Sequence, residues 1–328
     1  MEKKRNSHLL CTAPMMDWSD KHCRFFFRMM SPGAVLYTEM VTTGAILFGN
    51  KKRHLDFNDE EHPVALQLGG SDPSDLGQCA RLAEDWGYDE INLNCGCPSE
   101  RVKKGNFGAS LMLDPKLVAD CFLQMSERSS LPVTIKHRLG VDQQESYGFV
   151  SDFVGALENV GCRTFIVHAR TAILKGLSPK DNREIPPLRY QDVEKLKKDF
   201  PSCSFILNGG ITSSGELSYA TDKLDGAMIG RAAYHNPDFL QVADQILFEN
   251  KPRDTEEIIE KISEYAGKEI KKGVPLRCIT RHLLGLFKGK PGAKLWRQRL
   301  SDSAQLEKNK STFIRDTYTS LRASLSSS

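Results

Sequence analysis

Two cysteines stand one residue apart in the string Asn94-Cys95-Gly96-Cys97-Pro98-Ser99 of this 328-residue chain. Proline stops regular backbone and glycine permits an exposed loop, so Cys97 is placed for chemistry. Cys95 directly follows Asn94 in what reads as a strand ending, turns its side chain to the opposite face, and reads as inert packing. A thiol with a reference pKa of about 8.5 is mostly protonated at neutral pH and can give up a proton. Cys97 is therefore the candidate acid. No metal is expected, because a single Cys-x-Cys without a second Cys or Cys/His pair is a poor zinc signature.

A second chemistry is anion binding. Asn208-Gly209-Gly210 and Gly230-Arg231 are glycine turns, one followed by a guanidinium, and glycine lets backbone N–H groups approach a phosphate. Two tight turns with no ligand are the alternative. His168 and Arg170 form a polar pair suited to a cofactor or substrate contact, although a histidine at such a place is commonly a hydrogen-bonded structural residue.

These residues need a common frame. Short apolar, β-branched runs near 8–13, 35–40, 64–68, 90–94, 133–136, 164–168, 205–208 and 226–230 alternate with helix-period segments near 75–86, 117–128, 149–160, 192–200 and 215–221. Eight βα units in about 240 residues predict a TIM (β/α)8 barrel, whose chemistry lies where strands end and loops begin. The unusual residues fall there: Pro14-Met15-Met16 after the first run, Gln67 in the third, Asn94 to Cys97 after the fourth, Lys136 and Arg138 at the fifth, His168 and Arg170 at the sixth, and the glycine turns at the last two. Lys136 should project into the barrel mouth, where a cation suits the N1–C2=O edge of a reduced flavin. Gln67 carries the donor and acceptor to bind a pyrimidine edge, or is an ordinary loop amide.

After a last helix near 237–248 the strand pattern stops. Helical segments near 255–272, 275–288, 293–301 and 308–323 predict a small all-helical C-terminal domain, dividing the chain into a barrel over 1–248 and a helical domain over 249–328. Residues 1–250 hold 28 Lys+Arg against 33 Asp+Glu, while 251–328 hold 17 against 9. A basic tail on a mildly acidic body suits a polyanionic partner, or is a plain solvated helical surface. Nine scattered cysteines, a polar start and no apolar run of membrane-spanning length predict an unexported, cytoplasmic protein with reduced thiols and no membrane association.

The strings Ala13-Pro14-Met15-Met16-Asp17-Trp18-Ser19-Asp20, Tyr37-Thr38-Glu39-Met40, Asn92-Leu93-Asn94-Cys95-Gly96-Cys97-Pro98-Ser99 and Gly105-Asn106-Phe107-Gly108-Ala109 resemble the tRNA-dihydrouridine synthases. The likeness covers nearly the whole chain. With Gly176-Leu177-Ser178-Pro179-Lys180, Asn182-Arg183-Glu184-Ile185-Pro186-Pro187, Arg281-His282 and Gly285-Leu286-Phe287 it looks closest to the bacterial DusA-type subfamily. Ser110 departs from it, standing where cysteine is expected.

The resemblance implies an FMN-containing barrel, reduced by NADPH, that converts uridine to dihydrouridine at D-loop positions 20 and 20a of tRNA, and no protein partner is implied. Pro14, Met15 and Met16 would line the flavin, Gln67 and Lys136 bind its ring, and His168, Asn208, Gly209, Gly210, Gly230 and Arg231 hold its tail and phosphate. Cys97 would be the proton donor and Asn94 would orient the uracil, with Arg138 and Arg170 as further substrate contacts. Lys180, Arg183 and Arg297 would touch tRNA. Two rivals share parts of this pattern: a flavin barrel reducing a free pyrimidine or enone, as in dihydroorotate-type enzymes, and a non-catalytic RNA-binding barrel. The first leaves the basic tail without a role. The second leaves Cys97, Lys136 and the glycine turns without one.

Overall fold

The computed structural model describes residues 8–99 and 105–326. Eight parallel strands pair in chain order and close on themselves. They are β1 (Leu10–Thr12), β2 (Val35–Thr42), β3 (Val64–Gly69), β4 (Glu90–Cys95), β5 (Val133–Val141), β6 (Thr164–Ala172), β7 (Ser204–Asn208) and β8 (Gly226–Ile229). Closure runs from Leu10 opposite Ala227 to Thr12 opposite Ile229, which leaves no sheet edge unpaired. This is the expected TIM barrel. The strands begin at or near their expected positions, but β5 and β6 run on to Val141 and Ala172. Their pairing shifts register between Arg138 and Gly140, and such an irregularity carries polar residues past the point where apolar alternation ends.

Local sequence explains the helices that alternate with the strands. Asp72 caps Pro73–Trp86 through the Asp75 N–H, and Gly87, at φ 95°, ends it in the left-handed region. Asp114 caps Pro115–Arg128, Ser146 caps Tyr147–Asn159, and Ser213 with Glu216 forms a capping box on Ser214–Lys223. Inside the barrel, Cys11, Val35, Tyr37, Ala65, Ile166, Ile206 and Met228 form one buried cluster drawn from six strands.

The chain forms two compact units, and their division differs from a linear cut at residue 248. One holds the barrel through Gly230. The other gathers Trp18–Gly33 with the segment from Arg231 onward. Helix Lys21–Met30 belongs to this second unit because Phe25 stacks on Tyr265 at 4.0 Å, the Tyr265 hydroxyl lies 2.6 Å from His22 Nδ1, and Asp244 accepts from Ser31 and Gly33. Nearly every residue of this helix is buried, its two arginines included. Arg24 donates to the Ser19 carbonyl, and Arg28 to those of Ser31 and Pro32. Lys21, Arg24 and Arg28 recur at helical spacing along one stripe, but folding buries both arginines instead of leaving them to solvent.

The second unit is otherwise helical, with Pro237–Phe248, Thr255–Lys271, Ala293–Leu300 and Phe313–Ser326 as its longer members. The helix expected over 275–288 is only the single turn Arg277–Thr280 followed by turns. Gly285 lies so close to the Tyr234 and His235 carbonyls that a Cβ would sit 2.9 and 3.0 Å from them, so close packing overrides the helical period there. Among the described residues no helix is long and apolar enough to cross a membrane.

Candidate active site at the C-terminal rim of the barrel

Strand β4 carries polar residues at each alternate position. Glu90, Asn92 and Asn94 share one face by the two-residue period, while Ile91, Leu93 and Cys95 take the other and are fully buried. Burial first of all raises the Cys95 thiol well above its ordinary range, which keeps it protonated and unreactive as expected. Cys97, two residues on, is half-buried.

The Cys97 loop is pinned from below. Asn94 Oδ1 accepts the N–H groups of Gly96 (3.0 Å) and Cys97 (2.9 Å), and the Cys97 carbonyl accepts from Ala109 N–H at 2.9 Å. Arg138 Nε donates to the Gly96 carbonyl at 3.0 Å, and the Cys97 thiol lies 3.5 Å from the Ser99 hydroxyl. A fixed backbone with a partly exposed thiol is what a positioned proton donor requires.

Register brings the other candidates to the same rim. Asn94 pairs with Lys136, Arg138 with His168, and His168 with Asn208. Lys136 Nζ donates to Asn208 Oδ1 at 2.8 Å, and Asn208 Nδ2 donates to the Met228 carbonyl at 2.8 Å. Gln67 Oε1 accepts from Asn94 Nδ2 at 2.8 Å. Gln67, Asn94, Cys97, Lys136, His168 and Asn208 thus occupy one mouth, built from β3 to β7.

The mouth is electropositive. Desolvation, then the neighbouring Arg138 charge, bring the Lys136 ammonium down to about 7 against the opposing pull of Cys97. Burial and the cations Arg138, Lys136, Arg170 and Arg183 hold His168 well below its usual range, so its imidazole is neutral at pH 7. An anion entering this mouth would relieve that repulsion.

The turn after β7 is shaped for close approach. Gly209 and Gly210 have φ of 100° and 75°. A Cβ at Gly209 would stand 2.5 Å from His168 Cδ2, and one at Gly210 would stand 2.7 Å from the Tyr190 hydroxyl, which itself donates to the Gly209 carbonyl. Only glycine fits both the dihedrals and the space. After β1, Met15 packs on the interior cluster and lies beside Gly230, where a Cβ would be 4.0 Å from its Sδ; Pro14 is half-buried and Met16 is 55% exposed.

Arg138 and Arg170 occupy a position the sequence did not foretell. Arg138 is 3% exposed, and its Nη1 donates to the carbonyls of Asn182 (2.8 Å) and Thr171 (3.2 Å), besides the Nε bond to Gly96. Arg170 donates to the carbonyls of Pro186 and Glu184. Both guanidiniums therefore brace loops beside the mouth. The loop after β6 is further tied by buried Asn182, which exchanges two bonds with the backbone of Ile173 and leaves Lys180 and Arg183 exposed on its surface. Arg231 and Arg297 lie in the second unit, where Arg231 begins the short helix Arg231–His235 and Arg297 is exposed on Ala293–Leu300.

Sequence reasoning passed over Glu90, Asn92, Thr134, Asn182 and Tyr190. For the first two a signal existed, because polar residues at alternate places in an otherwise apolar barrel strand must face one another inside. Asn182 and Tyr190 lie in loop and helix-start sequence, where residue type and spacing give no sign of the bonds they make once folded.

The profile of the dihydrouridine synthase (Dus) family matches residues 11–321. The tRNA-dihydrouridine(20/20a) synthase of Vibrio parahaemolyticus is 53% identical over 298 residues, covering 90% of this chain and 91% of its own. Those of Synechocystis and Escherichia coli are each 52% identical, over 299 and 295 residues, covering 90% and 89% of this chain and 90% and 85% of their own. An old yellow enzyme homologue from Zymomonas mobilis superposes with a TM-score of 0.53 at 10% identity, over 75% of this chain and 90% of its own, a likeness of fold alone.

Proposed function

Since the chain belongs to the dihydrouridine synthase family, we propose that it reduces the C5=C6 bond of uridine in tRNA at this rim, with FMN in the mouth and Cys97 as proton donor. The observation that carries the reading is the half-buried Cys97 on a pinned loop, close enough to Lys136 and Arg138 to act on both electrostatically.

The residues fit a flavin. The left-handed Gly209-Gly210 turn carries no side chain beside the mouth, and Lys136 is a desolvated amine next to the Arg138 charge, which an anionic partner would favour in its protonated form. Gln67 and Asn94 each commit one amide hydrogen within the protein, which leaves the other for a ligand. Gln67 and Lys136 would hold the ring, Pro14, Met15 and Met16 would line it, and His168, Asn208, Gly209, Gly210, Gly230 and Arg231 would hold its tail and phosphate.

Uracil C6 is the electrophilic β-carbon of a system conjugated to the C4 carbonyl. A reduced flavin, its ring held by Gln67 and Lys136, would supply the hydride that C6 accepts. Cys97 Sγ then gives its proton to C5, completing dihydrouracil. The thiolate so formed faces the positive charges of Lys136 and Arg138, which offset it. Asn94 orients the base. Arg138 and Arg170 act on the substrate through the loops they brace.

A D-loop base packed in folded tRNA must leave its stack to reach this mouth, at a cost of a few kcal/mol. Exposed Lys180 and Arg183, with Arg297 in the basic helical unit, offer phosphate contacts to offset that cost. The finer reading takes NADPH as reductant, positions 20 and 20a as targets and the cytoplasm as location, which the nine free thiols suit.

The test is incubation of the flavin-loaded protein with NADPH and unmodified tRNA, followed by mass mapping of nuclease fragments. Dihydrouridine at positions 20 and 20a is expected. Cys97→Ala should keep flavin and tRNA binding while slowing turnover by about 100-fold or more. Unchanged turnover in that variant would remove Cys97 from the mechanism.

A further inference from the structure

A single file of hydrogen bonds runs through the barrel from its floor to the Cys97 loop. At the floor, Glu90 is 5% exposed and accepts from the Tyr37 hydroxyl and the Thr134 hydroxyl, both at 2.6 Å on Oε1, with His8 Nε2 on its other oxygen. Thr134 Oγ1 accepts from Asn92 Nδ2 at 2.8 Å. Asn92 Oδ1 accepts from Gln67 Nε2, and Gln67 Oε1 from Asn94 Nδ2, each at 2.8 Å. Asn94 Oδ1 then accepts the backbone N–H groups of Gly96 and Cys97. Thr134, Asn92, Gln67 and Asn94 are all buried, none more than 9% exposed.

The polarity of this file is set at both ends. A carboxylate only accepts, so Thr134 must donate downward, and its oxygen is then the acceptor for Asn92. Backbone N–H groups only donate, so Asn94 must present its oxygen upward and its nitrogen to Gln67. Turning over any one amide would set donor against donor or acceptor against acceptor at a buried contact.

We propose that Glu90 and Thr134 are positioning residues that, through this relay, fix which atoms of Gln67 and Asn94 face the reactants and hold the Cys97 loop. The proposal rests on the reading of Cys97 as proton donor and deepens it: the acid would be aimed by a carboxylate on the floor of the barrel. Tyr37 serves as an internal control. Its hydroxyl donates to the same Glu90 oxygen and also meets Thr134, but it bonds none of the relay members above Thr134.

The experiment compares Thr134→Val, Thr134→Ser and Tyr37→Phe in the full-length, flavin-loaded protein. Three quantities are read: kcat and KM on unmodified tRNA, the rate of flavin reduction by NADPH, and the pH profile of Cys97 alkylation by N-ethylmaleimide, followed by peptide mass mapping. Thr134→Val should lower kcat about 10- to 100-fold, the scale of a misplaced reacting group, while flavin reduction changes by less than about threefold. The Cys97 alkylation profile should shift in the same variant. Thr134→Ser keeps the hydroxyl and should restore both readings, and Tyr37→Phe should match the wild type in both despite losing a buried hydrogen bond.

A wild-type kcat and alkylation profile in Thr134→Val would overturn the relay, as would a Tyr37→Phe variant that falls as far as Thr134→Val. Should Thr134→Val fail to fold, Thr134→Ala removes the same hydroxyl with no isosteric methyl to accommodate, and the same outcomes apply. Failure of the underlying reading looks different, because Cys97→Ala would then turn over normally whatever Thr134 does.

Discussion

Lys136 should be neutral in half of the molecules at pH 7, and this can be measured without any cofactor. Its ammonium is brought down to about 7 by desolvation and by the Arg138 charge. At pH 7 its neutral, nucleophilic fraction is therefore about one half. For an ordinary lysine with a pKa of about 10.4 the fraction is about 0.0004, roughly a thousandfold less. The assay is trace acetylation of the flavin-free protein at a series of pH values, with the extent at each lysine read by peptide mass spectrometry. Partial burial slows reagent access by a similar factor at every pH, so the midpoint of the rate profile, not its height, is the observable. The profile for Lys136 should turn near pH 7, and those of surface lysines near pH 10. A Lys136 profile that rises only toward pH 10 would refute the claim that desolvation governs the mouth, and with it the argument that the mouth seeks an anion. The sign for stability follows from the same values. Between about pH 7 and 10.4 the unfolded chain holds the Lys136 proton more often than the folded chain, so stability measured against Lys136→Met should rise with pH across that window.

Gly209→Ala introduces a Cβ 2.5 Å from the His168 ring at a φ of 100°. Left-handed strain and overpacking together should cost about 2 to 5 kcal/mol in denaturant unfolding, and flavin-phosphate binding should weaken with it. A loss below about 1 kcal/mol would mean that the turn relaxes freely. Asn182→Ala removes the two bonds to Ile173, at a local cost of about 1 to 3 kcal/mol. Proteolysis within the loop after β6 should quicken and tRNA affinity fall while the barrel's melting temperature barely moves; an unchanged cleavage rate would show that Asn182 does not hold the loop. In the native protein, N-ethylmaleimide should label Cys97 and leave Cys95 untouched, because Cys95 is fully buried and its thiol is raised well above the ordinary range. Labelling of Cys95 at a comparable rate would contradict its placement on the outer face of β4.

The barrel was legible because its signals are local. Strand and helix periods repeat along the chain, capping residues such as Asp72, Asp114 and Ser146 stand just before their helices, and strand ends mark one rim. Cys97, Lys136, Gln67, His168 and the Gly209-Gly210 turn could be placed on that rim from residue type and position alone. Position told Cys95 from Cys97, because Cys95 follows Asn94 within the strand and takes the face opposite to it, whereas Cys97 stands beyond the strand in the Gly-Cys-Pro turn.

What the sequence left open depended on contacts between distant segments. Arg138 stood among the expected substrate contacts at the rim, yet folding surrounds it with the carbonyls of Gly96, Thr171 and Asn182. Helix Lys21–Met30 joins the helical unit because Phe25 meets Tyr265, a pairing across more than two hundred residues that no window can contain. The relay from Glu90 to Cys97 needed strands β3, β4 and β5 in register before its donors and acceptors could meet. Periodicity along one chain reports which face a side chain takes, and the partner across that face is known only once the sheet has closed.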